Sequence, residues 1–62
     1  NLPDSLSENA KKLYSVLKNE PRHIDDLSEE AGLSSADALS SLTELELYSL
    51  AALSEGKHYY KV

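Results

Sequence analysis

The residues with chemistry to offer are few. His23 and His58 are the only imidazoles, and there is no cysteine. A metal site needs clustered His, Cys or carboxylate ligands, whereas these two histidines lie 35 residues apart (58 − 23). They meet only if a strand carrying one pairs with a strand carrying the other, and they then read as two partly exposed sheet histidines. Nucleophilic catalysis needs an activated Ser, Cys or Lys beside a base. Of the ten serines, four fall at helix caps or beside turns, and none lies in a G-x-S-x-G elbow. Gly32 and Gly56 are the only glycines, which leaves no glycine-rich phosphate loop. The residues argue against an enzyme, and no cofactor, metal or small-molecule substrate is expected.

Binding surfaces remain, and charge is the first guide to them. The formal net charge of −5 weighs against indiscriminate nucleic-acid binding. From Asp25 through Glu55 there are eight carboxylates and no Lys or Arg, a balance of −8. The rest of the chain carries six cations against three acids, and 6 − 3 − 8 recovers −5. Basic residues gather before and after the acidic stretch. Arg22, Lys57, His58, Tyr59 and Lys61, with Lys18 and Lys11 on the first helix, are the candidates for touching DNA, because cations beside aromatics can hold a phosphate or stack a base. A second candidate surface is apolar. Leu45, Leu47, Tyr48, Leu50 and Leu53 crowd the stretch after residue 44. Three helices and a ribbon need not cover all of them, so Leu47, Tyr48, Leu50 and Leu53 are candidates for a protein contact.

The elements that must position these residues can be read from pattern. A chain of 62 residues makes one small domain. Its core is built from leucine, twelve of them, with no Phe, Trp or Met. Residues 1–4 read as the remnant of a linker or tail, and 5–62 as the domain. The absence of an initiator Met suggests an excised piece. Ser5-Leu6-Ser7-Glu8 offers a capping box, with Ser5 as the cap. The first helix is predicted over about 6–19, with Leu6, Ala10, Leu13, Tyr14 and Leu17 on its buried face and Glu8 paired with Lys12. Pro21 is the expected stop. Arg22-His23-Ile24 reads as a short strand. Asp25 is the expected N-cap of a second helix near 26–31 that ends at a left-handed Gly32. Ser34 caps a third helix near 35–47, reciprocated by Asp37. Ala36, Leu39, Leu42 and Leu45 are expected to line its core side, and Asp37, Ser40, Ser41 and Glu44 its exposed side. Strands follow near 49–53 and 58–62, joined through a turn at Gly56.

That order is a small α+β winged helix-turn-helix: three helices, a short strand after the first, and a C-terminal β-hairpin wing. The short strand would pair with the wing, giving the three strands a small sheet needs. In such a fold the second helix of the motif enters the major groove. Here that helix is acidic, and two carboxylates facing phosphates would repel them. A sequence-specific repressor headpiece would need a basic recognition helix, which is missing.

The segment Glu20-Pro21-Arg22-His23-Ile24-Asp25-Asp26-Leu27-Ser28-Glu29-Glu30-Ala31-Gly32-Leu33-Ser34 resembles the "EP-x-HIDEL-x-x-x-TGLS" signature of the C-terminal winged-helix domain of the DNA-processing protein A (DprA/Smf) family. Leu42-Thr43-Glu44-Leu45-Glu46-Leu47 is similar to that family's "L-x-x-LEL" helix end, and Gly56-Lys57-His58-Tyr59 to its "GG-x-Y" wing. The likeness covers about residues 6–62. It implies a bacterial protein of natural transformation, whose Rossmann-like core, absent from this chain, binds incoming single-stranded DNA and helps load the recombinase. The family often has Gly before its first wing strand and a basic residue within it. Ser49 and Ala52 stand in those places here, which weighs against phosphate binding by the wing.

The expected function is an accessory, non-catalytic module that modulates contacts with DNA, weak and non-specific, or with partner proteins and other domains of its parent. The alternative is a protein-interaction or self-association domain without direct DNA binding. No apolar run approaches the ~18 residues of a membrane span, the start is unlike a signal peptide, and the lack of cysteine fits a reducing, cytoplasmic setting.

Overall fold

The computed structural model describes residues 2–62, so Asn1 of the expected tail lies outside the described residues. Helix α1 spans Glu8–Val16, strand β1 Arg22–His23, helix α2 Ile24–Ala31 and helix α3 Ser35–Leu47. Strand β2 (Ala51–Leu53), a tight turn at Glu55–Lys57 and strand β3 (His58–Lys61) complete the chain. The three strands form one antiparallel sheet in the order β1-β3-β2, so the last strand is central. Arg22 stands opposite Tyr59 and His23 opposite His58, while Ala51, Ala52 and Leu53 stand opposite Lys61, Tyr60 and Tyr59. Three helices, a strand before the second helix and a C-terminal hairpin are the expected α+β architecture.

Leucines fill the core as expected. Leu6, Ala10, Leu13 and Leu17 bring one side of the α1 region against Leu27 of α2 and against Ala38, Leu42 and Leu45 of α3. Ala51 and Tyr59 close it from the inner face of the sheet. Leu2 and Tyr14 pack on its margin, so the first described residues lie against the domain.

The helix ends differ from expectation in instructive ways. Ser7, not Ser5, caps α1: its Oγ accepts the Ala10 N–H at 3.1 Å. Leu6 is thereby held in the core, and the Ser5 hydroxyl pairs with the Tyr48 hydroxyl. A capping box normally takes its carboxylate from the same helix. Here Glu44 of α3 supplies it, accepting from the Ser7 N–H and Oγ–H, each at 2.8 Å. Glu8 pairs with Lys11 at 3.8 Å rather than with Lys12. The helix ends at Val16, short of Asn19 and well before Pro21. Leu17 turns extended (φ −69°, ψ 146°) and stays buried, which frees the Lys18 carbonyl to accept the Lys61 N–H at 2.7 Å. Sheet completion, not proline, terminates α1.

His23 replaces Asp25 as the cap of α2. Its Nδ1 accepts the Asp25 N–H at 3.0 Å, leaving Asp25 and Asp26 in the first turn, where the positive end of the helix favours them. Helices α2 and α3 then end in the same hydrogen-bond pattern. Gly32 N–H reaches Glu29 O and Leu33 N–H reaches Ser28 O; Ser49 N–H reaches Glu46 O and Leu50 N–H reaches Leu45 O. Both are Schellman motifs, which place one residue in the left-handed region. Gly32 sits there at φ 72° and Ser49 at φ 60°. This turn occupies Ser49 and Leu50, so β2 begins at Ala51 rather than at 49.

Candidate functional site

A helix that packs on one side has its register fixed by that side. In α3 the buried residues are Ala38, Ser41, Leu42 and Leu45, spaced 3, 1 and 3 apart. Ser41 can be buried because its hydroxyl donates to the Asp37 carbonyl at 2.7 Å. Leu39, expected in the core, is 51% exposed, and Ala36 is exposed as well. The exposure of Leu39 and Ala36 has a geometric cause. At about 100° per residue, a run with strict three-residue spacing drifts by roughly 60° at each step. Ala36, Leu39, Leu42 and Leu45 therefore spiral halfway round the helix and cannot share one face.

Asp37 and Ser40 are exposed as expected, but the outward face is centred on apolar residues rather than on the acidic ones. Ala36, Leu39, Ser40, Thr43 and Leu47 form it, with Glu44 at its edge. Leu47 is 80% exposed, the most open large apolar side chain of the domain. Ser41 has turned inward and Glu44 is tied to Ser7. Leu39 also borders a second concavity of about 320 Å³, lined by Ile24, Asp25, Ser35, Lys57 and Tyr59, where the wing approaches α2 and α3. Leu53, exposed, stands directly across the ribbon from Tyr59. Of the apolar candidates, Leu47, Tyr48 and Leu53 are at the surface, whereas Leu50 is half-buried against the core. Sequence pattern missed Leu39, Thr43 and Ala36. The signal that could have found them was the small Ala38, four residues before Leu42 and seven before Leu45.

The basic candidates do not make one patch. Arg22 is committed internally: its guanidinium forks onto the Glu30 carboxylate and also donates to the Val16 carbonyl at 3.1 Å, closing the end of α1. The hydrogen bond to Glu30 raises the Arg22 pKa, and the same bond holds the Glu30 carboxyl below its ordinary range. Lys61 lies over the Tyr14 ring, 4.8 Å from its centroid. Tyr59 is 6% exposed, so it serves the core and offers no face on which a base could stack. Burial, then the charge of Glu46, raises its phenol pKa. Lys18 and Lys57 are exposed. Lys57 lies in the turn before β3, whereas Lys61 is the last residue of that strand.

The sheet does bring His23 and His58 together, edge to face at 5.2 Å between centroids. Their Nδ1 atoms hold opposite roles. That of His23 accepts an amide proton, and that of His58 lies 2.9 Å from the Gly56 carbonyl and must donate to it. Each ring thus secures a local turn, one at the start of α2 and one in the wing. Among the described residues, no three of His, Cys, Asp and Glu gather as a metal would require.

A short strand, a helix-turn-helix and a β-hairpin laid against them define a winged helix-turn-helix domain, a class that is typically non-catalytic. The family model described as the DprA winged helix domain matches residues 1–57, and the chain belongs to that family. This gives it the context of a DprA-family DNA-processing protein. No curated protein and no solved structure matched the chain. No helix among the described residues is long and apolar enough to cross a membrane.

Proposed function

We propose that this domain is an accessory, non-catalytic module of a bacterial DNA-processing protein of natural transformation. In this reading it works in the cytoplasm, through contacts rather than chemistry. Its principal contact is with protein, either a partner or another domain of its parent, and its working surface is the outward face of α3. One observation carries this. Where a DNA-reading winged helix presents cations and hydrogen-bonding groups to the groove, α3 presents Ala36, Leu39, Thr43 and Leu47, and it contains no Lys or Arg at all. Contact with DNA is weak and non-specific in this reading and falls to Lys18 and Lys57, since Arg22 and Lys61 already have internal partners.

Titration of the ¹⁵N-labelled chain with single- and double-stranded DNA at low salt tests the assignment. The expected result is weak, salt-sensitive binding, with shifts near Lys18 and Lys57 and none along Ala36–Leu47. Duplex DNA that shifts the amides of Ala36–Leu47 would overturn it.

A further inference from the structure

The outward face of α3 runs for three turns, about 17 Å from Ala36 to Leu47 at helical rise. Leu39 and Leu47 stand out from it, with the smaller Ser40 and Thr43 between them and Ala36 before them. This is the size and relief of a surface that receives one amphipathic helix, read by apolar anchors at i, i+3, i+4 and i+7. Its charge says which kind of helix. Asp37 and Glu44 flank the stripe on one side, Glu46 lies on the other, and Asp25 borders the adjoining concavity beside Leu39. Lys57 is the one cation lining either concavity. A second copy of this chain would bring −5 against −5 and set carboxylates against carboxylates. At a Debye length of about 8 Å in physiological salt, such rim charges still act across a contact. Opposite charges at a rim steer the encounter and exclude wrong partners.

Resting on the protein-contact reading above, we propose that the outward face of α3 docks a basic amphipathic helical segment of a partner. The segment seats its apolar residues on Leu39 and Leu47, and its Lys or Arg side chains meet Asp37, Glu46 and Asp25.

Two synthetic helical peptides with identical leucine positions test this, one with lysine and the other with glutamate at every polar position. Each is titrated into the ¹⁵N-labelled chain at low and high salt. The lysine peptide is expected to shift amides along Ala36–Leu47 and to bind at least about tenfold more tightly than the glutamate peptide. Its affinity should fall about tenfold or more in the Leu39→Ser, Leu47→Ser double variant, and severalfold in Asp37→Asn, Glu46→Gln and at high salt. Glu44 is left intact because it holds Ser7, the cap of α1, and a thermal melt of each variant confirms the fold. Equal binding of both peptides to α3 would overturn the basic occupant while leaving the protein-contact reading in place. Lysine-peptide shifts confined to α2 would overturn it too. Binding of neither peptide, together with duplex DNA on α3, would overturn both readings.

Discussion

Helix α3 has two apolar sides with opposite fates. Ala38, Leu42 and Leu45, with Ser41, are sealed against α1, α2 and the sheet, while Leu39 and Leu47 look outward across the same three turns. Residue type does not separate them, since leucine stands on both sides. What separates them is phase relative to Ala38, whose small side chain lets α3 approach its neighbours at that point. An apolar helix can thus serve a core and a surface at once, and in a domain of 62 residues few helices can be spared for one task.

The largest test of that contrast is a paired truncation. Leu42→Ala removes a fully buried side chain and should cost about 2–5 kcal/mol, enough to unfold much of so small a domain. Leu39→Ala, half exposed, should cost less than about 1 kcal/mol. Urea melts of the two variants measure the gap directly. Equal losses would mean that both sides belong to one core and that the outward face is not free.

Glu44 stands on the boundary between the two sides, and it tests whether the boundary is anchored. Glu44→Ala removes both hydrogen bonds to Ser7 and should cost about 1 kcal/mol, given the exposure of the pair. Amide exchange at Ser7 should quicken, while exchange at Leu42 and Leu45 follows only the change in global stability. No change at Ser7 would mean that α1 and α3 are registered by packing alone.

The smallest effect belongs to the end of the helix. Ser49 carries the left-handed geometry that Gly32 carries in the matching motif of α2. Only glycine adopts that geometry without a steric cost, so Ser49→Gly should stabilise the domain by about 0.5–1 kcal/mol, net of the extra freedom gained in the unfolded chain. Gly32→Ala should destabilise it by a similar amount, even though space is open where its Cβ would sit. A thermal melt reads both. Opposite signs confirm that the two ends are equivalent in backbone and unequal in residue.

Much of this was legible in the sequence. Element order, the left-handed Gly32 and Gly56, the Ser34 cap and the buried side of α1 all follow from local chemistry that tertiary structure does not override. Local chemistry is overridden where a distant residue takes over a local role. Glu44 completes the cap of Ser7 from 37 residues away, and Lys61 draws Lys18 out of α1. The candidate site was legible in composition but not in orientation. The apolar surplus of Leu47, Tyr48 and Leu53 is readable, whereas Leu39 sits in a three-residue run that looks helical yet spirals away from the core. The pairing of Arg22 was illegible for a related reason: nothing local to Arg22 says that Glu30 will fold back onto it.

The strand order has a consequence for the time course of folding. Strand β3 is central, yet it is the last of the elements in the chain, and β1 has no partner until β3 arrives. Pairing Arg22 with Tyr59 closes a loop of 37 residues (59 − 22), an entropic cost that must be met before the contact returns anything. Each helix can form on its own local hydrogen bonds, and α2 can pack early on its neighbours in sequence, α1 and α3. The β2–β3 hairpin is local and can pair early, so the docking of β1 on β3 is the step expected late. The Lys61 amide, bonded to the Lys18 carbonyl, should gain its protection from exchange together with the amides of β1 and only after those of α3.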